Sequence, residues 1–94
     1  MRQKIINQIK HLKPELYEKF NVQEIALFGS FSRNQENESS DIDILVKLEK
    51  PLGLKFITLL NFLETHLKEK VDLVTDKAIR PQMKDRILKE AIYI

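Results

Sequence analysis

The sequence predicts an α/β (α+β) fold: a small mixed β-sheet with helices packed on it. Three observations predict it. Short apolar runs at 24–28, 41–48 and 70–75 have the length and patterning of strands. Segments at 2–20, 52–68 and 77–92 repeat apolar residues at helical spacing. The two kinds of segment alternate, as they do where helices cover a sheet.

The first segment carries Ile5, Ile6, Ile9, Leu12, Leu16 and Phe20 on one helical face. Pro14 is expected to split it, because proline removes a backbone donor and disfavours helix at Lys13. Glu24–Phe28 is a short apolar strand closed by Gly29-Ser30, with a short helix expected through Arg33. Residues 34–40 are polar and loop-like. Asp41–Leu48 alternates as a strand does. In the helix at 52–68, Leu54, Ile57, Leu60, Leu63 and Leu67 form one face, with Phe56 and Leu59 nearby. This leucine-rich helix reads as core, and its surplus of apolar positions (Phe56, Leu59, Phe62) also suits contact with another chain. After a third strand at 70–75, residues 77–92 read as a C-terminal helical region, with Pro81 at a helix start or between two short helices.

The 94 residues make one domain, 1–94, with a thin margin of stability for which a partner chain would compensate. A hydrophobic share of 43% and a charged share of 32% fit a globular protein and exclude a disordered one. No apolar run reaches the roughly 20 residues of a membrane helix, and the amphipathic pattern at the start, broken by Asn7, Gln8 and Lys10, is not expected to act as a signal peptide. Without cysteine there is neither a disulfide framework nor a thiolate metal site, and a cytoplasmic location is expected. A net charge of +2 is too weak to argue for nucleic acid as a partner.

Chemistry concentrates in Gly29, Ser30, Asp41, Asp43 and Asp72. In the strand at 41–48, Asp41, Asp43 and Leu45 point one way and Ile42, Ile44 and Val46 the other. The apolar row faces the helices. The two acids therefore stand on the opposite face, about 6.5 Å apart. Asp72 projects likewise from between Val71 and Leu73, and neighbouring strands lie about 4.8 Å apart. Pairing the two strands would gather three carboxylates. Their mutual repulsion is relieved by protons or by a bound cation. Magnesium takes carboxylate and phosphate oxygens together, and two such ions assist in-line phosphoryl displacement. Gly29 lets the backbone approach a triphosphate, and Ser30 and free helix amides can donate to it. Arg33, about one turn on, and Lys77, Arg80 and Lys84 are candidate counter-charges.

The stretches Leu27-Phe-Gly-Ser-Phe-Ser-Arg33, Ser40-Asp-Ile-Asp-Ile-Leu-Val46 and Val71-Asp-Leu-Val74 resemble the DNA polymerase β-like nucleotidyltransferase superfamily, and within it the minimal nucleotidyltransferases. The ending, Arg86–Tyr93, is similar as well. The resemblance implies a polymerase β-like fold and a magnesium-dependent nucleotidyltransferase, with two ions expected and ATP as the donor. It implies the antitoxin of a toxin–antitoxin pair, transferring AMP to a tyrosine of a HEPN-domain ribonuclease toxin. It implies that Gly29 and Ser30 bind the nucleotide, that Arg33 assists, and that Asp41, Asp43 and Asp72 are catalytic and hold the metal. Asn34 departs from the glycine common after the arginine, but asparagine tolerates the same left-handed turn.

Plainer readings stand beside these. A lone Gly-Ser pair is usually an ordinary turn. Asp43 and Asp72 are harder to dismiss, because aspartate is disfavoured inside strands. His11 and His66 lack a partner at metal spacing and suit surface roles, and Tyr17 and Tyr93 suit packing with a wet hydroxyl. Two other functions compete: an interaction module that silences its partner by binding alone, and transfer to the hydroxyl of a small molecule. The acceptor hydroxyl stays open at the level of sequence.

Overall fold

The computed structural model describes residues 2–29 and 41–94. Ser30, Arg33 and the short helix expected there lie outside the described residues. The elements run α1 (Arg2–Phe20), β1 (Val22–Phe28), β2 (Ile42–Leu48), α2 (Lys55–Leu67), β3 (Val71–Thr75), a 3-10 turn (Asp76–Ala78), α3 (Pro81–Glu90) and β4 (Ile92–Tyr93). The sheet is four-stranded in the order β3-β2-β1-β4. β2 and β3 are parallel and the other neighbours antiparallel, so the sheet is mixed. The parallel pair requires a crossover, and α2 supplies it. Among the described residues, no helix is long and apolar enough to cross a membrane.

The core lies between one face of the sheet and the pair α1 and α2. Ile5, Ile9, Leu16 and Phe20 of α1 meet Leu59, Leu63 and Leu67 of α2 and the inward row of the strands, including Ile25, Leu27, Ile42, Ile44 and Val46. Burying each such side chain contributes about 1.5–3 kcal/mol, which makes this layer the main support of the fold.

Three expectations are corrected. First, α1 is unbroken and contains Pro14. Pro14 is exposed, and so is Lys10, whose carbonyl would have taken the missing bond; water can replace the donor there. Second, the buried face of α2 is Leu59, Leu63 and Leu67, whereas Leu54 and Ile57 are 89% and 60% exposed. Leu54 precedes the helix proper, and Ile57 lies on the far side from the sheet. Third, the C-terminal region is not helical throughout. Residues 76–78 form a 3-10 turn, α3 starts with Pro81 at its first position, and Ala91 leaves the helix in an extended conformation. Ile92 and Tyr93 then pair with Leu27 and Ala26 at the free edge of β1, and the Ile94 amide donates to the Ile25 carbonyl at 2.9 Å. A β-branched and aromatic tail suits a strand edge better than another helical turn.

α3 lies over the other face of the sheet. Leu88 and Lys84 line a hollow with Leu45 and Tyr93, and Met83 and Ile87 line another with Phe28 and Val74. Leu45 and Ala26 are buried on this face, apart from the main core. No residue of α3 is itself buried.

Candidate active site

β1, β2 and β3 set a row across the face that carries α3. Phe28 of β1 is the register partner of Asp43 of β2, and Asp43 is the register partner of Asp72 of β3. Partners in a ladder project their side chains to the same side, so the two carboxylates are neighbours. The alignment is held at both ends of the loop regions nearby. The Ile42 amide donates to the Lys70 carbonyl at 2.9 Å, which fixes the parallel register one residue before the acids. The Val71 amide donates to Glu64 Oε2 of α2 at 3.0 Å, which ties the start of β3 to the crossover helix. Lys68 makes the turn between them, adopting φ 58° while its amide closes on the Glu64 carbonyl at 2.8 Å.

Gly29 ends β1 beside Asp43. Its φ is +69°, and a Cβ built there would overlap Asp43 Oδ2 and press on its Cγ. Glycine is thus required twice, for the left-handed backbone and for room beside the carboxylate. Asp41 stands just before β2 and is exposed. Asp43 is half-buried and Asp72 exposed. The structure brings Asp43 and Asp72 together but does not gather Asp41 into a closed three-carboxylate cluster. Among the described residues, no three acid or histidine side chains stand close enough to hold a metal unaided. The donor set still suits magnesium. That ion is usually held by one or two carboxylates with substrate phosphates and water, not by a cage made only of protein.

Of the basic candidates, Arg80 shares a cleft with Asp72. Lys84 lines the hollow beside Tyr93, and Lys77 lines one with Lys50 and Phe56 at the far end of β2 and β3. The Arg80 cleft has a volume of about 240 Å³. Phe28 and Val74 form its sheet side; Ile79, Met83 and Ile87 form the other.

Residues 9–94 match the model of the nucleotidyltransferase domain family. The chain belongs to that family. This nucleotidyltransferase is 44% identical over 97 residues to a Methanocaldococcus jannaschii protein provisionally named a protein adenylyltransferase, covering 97% of this chain and 99% of the other. It is 43% identical over 83 residues to the protein adenylyltransferase MntA of Thermococcus cleftensis, covering 87% of this chain and 84% of that one. Among solved structures, it resembles a protein provisionally named a minimal nucleotidyltransferase, with a TM-score of 0.82 and 28% identity, over 98% of this chain and 95% of that chain. It also resembles a chain of the complex of tri-AMPylated Shewanella oneidensis HEPN toxin with its MNT antitoxin, with a TM-score of 0.71 and 26% identity, over 99% of this chain and 71% of that chain. The polymerase β-like expectation for the fold is met: among the described residues, three helices on a four-stranded mixed sheet match the minimal nucleotidyltransferases.

Sequence reasoning missed three features around the candidate site. Phe28 had a signal, since it shares the strand face that leads into Gly29. Met83 and Ile87 were read only as helical periodicity, yet they line the cleft beside Asp72. The Glu64 tether had none, because an acid on a crossover helix reads as solvated surface.

Proposed function

We propose that this nucleotidyltransferase is a magnesium-dependent protein adenylyltransferase that transfers AMP from ATP to a tyrosine of a HEPN-type toxin and so acts as an antitoxin. The single observation that carries the chemistry is the register pairing of Asp43 with Asp72 beside the bare Cα of Gly29. The names of its relatives support protein as the acceptor class. The structural likeness to an MNT antitoxin on an AMPylated HEPN toxin supports the partner.

Gly29, whose missing Cβ gives room to the Asp43 carboxylate, is assigned with Ser30 and Arg33 to bind the triphosphate. Asp41, Asp43 and Asp72 would hold the magnesium, which when bound neutralises phosphate charge and stabilises the entering and leaving oxygens of the displacement. Asp72 receives the proton of the acceptor hydroxyl. The acceptor oxygen forms a bond to the α-phosphorus, the bond from that phosphorus to the bridging oxygen breaks, and pyrophosphate leaves. The products are an AMP ester of the acceptor and pyrophosphate. The working place is the cytoplasm, and residues 1–94 act as one catalytic domain.

Incubation with labelled ATP, magnesium and a HEPN-domain protein from the same genome tests this reading. A mass increase of one adenylyl group on that protein is expected, and its loss in Asp43→Ala. Unchanged labelling by the variant would refute the mechanism. Full protection of cells by Asp43→Ala would instead favour silencing by binding alone, a reading that the exposed Leu54 and Ile57 make concrete.

A further inference from the structure

We infer that the cleft between the sheet and α3, lined by Asp72 and Val74 of β3 and by Phe28 of β1, seats the acceptor: it takes an aromatic hydroxyl side chain, with Met83 and Ile87 as the wall that selects it. The inference rests on the adenylylation reading and adds to it a place and a selectivity.

Gly29 lies at the β1 end of the row Phe28, Asp43, Asp72. In an in-line displacement the entering and leaving oxygens lie on opposite sides of the phosphorus. With the pyrophosphate at Gly29, the entering oxygen arrives from the β3 side. Asp72 stands there, exposed, and it lines the cleft.

Apart from Asp72 and Arg80, the side chains around this space are apolar. Met83 is 45% exposed, and Val74, Ile79 and Ile87 are only partly covered. Such walls are completed by an apolar ring. A methionine thioether and a phenylalanine both make favourable contacts with an aromatic ring. A serine hydroxyl could reach Asp72, but it would leave these walls wet. Binding sites commonly pair an apolar lining with a few convergent polar groups, and this cleft has that composition.

The phenolic O–H bond breaks, its proton passing to Asp72, while the oxygen bonds to the α-phosphorus and pyrophosphate departs. The oxygen carries negative charge during that change, and Arg80, a cation, lines the same space.

The test compares wild type, Met83→Trp, Ile87→Ala and Met83→Leu in AMP transfer to a HEPN-domain protein from the same genome, with ATP affinity measured separately. Filling the cleft in Met83→Trp is expected to raise the acceptor KM about tenfold or more while ATP affinity changes by less than about twofold. Ile87→Ala raises the acceptor KM in the same direction, and Met83→Leu restores wild-type behaviour. Circular dichroism checks that each variant is folded. No transfer by wild type would remove the adenylylation reading and the inference with it. Transfer by wild type and equally by Met83→Trp would overturn the inference alone. A matching loss of ATP affinity in Met83→Trp would assign the cleft to the nucleobase, and that also overturns it.

Discussion

Gly29 and Asp43 share a space that holds only one side chain. The Asp43 carboxylate occupies the position that a Cβ at Gly29 would need, and the Gly29 backbone sits at φ +69°. Gly29→Ala must therefore displace the carboxylate and strain the backbone together. The left-handed conformation alone costs roughly 1–2 kcal/mol for a residue with a Cβ. In a domain of this size that lowers the melting temperature by about 4 °C or more. AMP transfer should fall further than stability does, since Asp43 moves. A variant that melts with wild type and transfers AMP normally would show that the close approach is immaterial.

Asp43 and Asp72 face one another in the ladder, so each repels the other when no cation is bound. Asp72→Asn removes that repulsion with almost no change of shape. Urea denaturation in chelator should find the variant as stable as wild type or up to about 1 kcal/mol more stable. Its transfer rate should nevertheless drop by about a hundredfold or more, the scale of losing one electrostatic contribution to a transition state. Loss of stability alongside activity would mean that the carboxylate supports the fold and not the chemistry.

Ligand linkage separates the same two roles. Magnesium with a non-hydrolysable ATP analogue at about a hundred times its dissociation constant should stabilise wild type by about 2.7 kcal/mol. The analogue in chelator should stabilise it far less. Asp72→Asn should lose the magnesium-dependent part. Equal thermal shifts with and without magnesium in wild type would argue against a metal held jointly by protein and phosphate.

α3 contributes no buried residue, although it covers Leu45 and Val74. Elements with few buried apolar contacts open most readily. Amide exchange in α3 should thus be much faster than in α1, whose Ile5, Ile9, Leu16 and Phe20 are buried. Addition of the partner protein and ATP should slow exchange at Met83 and Ile87. Protection of α3 equal to that of α1 in the isolated chain would contradict this account.

What could be read in advance follows from where the signal resides. Alternation in Ile42–Leu48 was enough to place Asp43 on the face opposite Ile42, Ile44 and Val46, because strand side chains have only two directions. The register that joins Asp43 to Asp72 is a pairing between distant segments, and no local pattern states it. Pro14 misled because the local penalty is real, yet packing of Ile9 and Leu16 on either side overrides it. β4 was hidden for a similar reason. Ala91 extends the helical spacing of Ile87 and Leu88, and only the open edge of β1 turns Ile92 and Tyr93 into a strand. α2 carries apolar residues on more than one face, so periodicity alone could not separate buried Leu59 from exposed Ile57.

Glu64 offers a last test, because its role is invisible in the sequence and specific in the structure. Its Oε2 accepts the Val71 amide at 3.0 Å, in a half-buried position, one residue before Asp72. Removing that acceptor leaves the amide at the head of β3 without its partner, at a cost of about 1–3 kcal/mol. Glu64→Gln retains a carbonyl oxygen at the same place and should retain most of the stability. Glu64→Ala should lower both stability and the AMP transfer rate, the latter because the start of β3 sets where Asp72 stands. At a temperature where both variants remain folded, the transfer rates distinguish a tether from a mere surface acid. Glu64→Gln near wild type with Glu64→Ala well below it supports the tether; equal rates in the two would mean that Asp72 is positioned by the β2–β3 ladder alone.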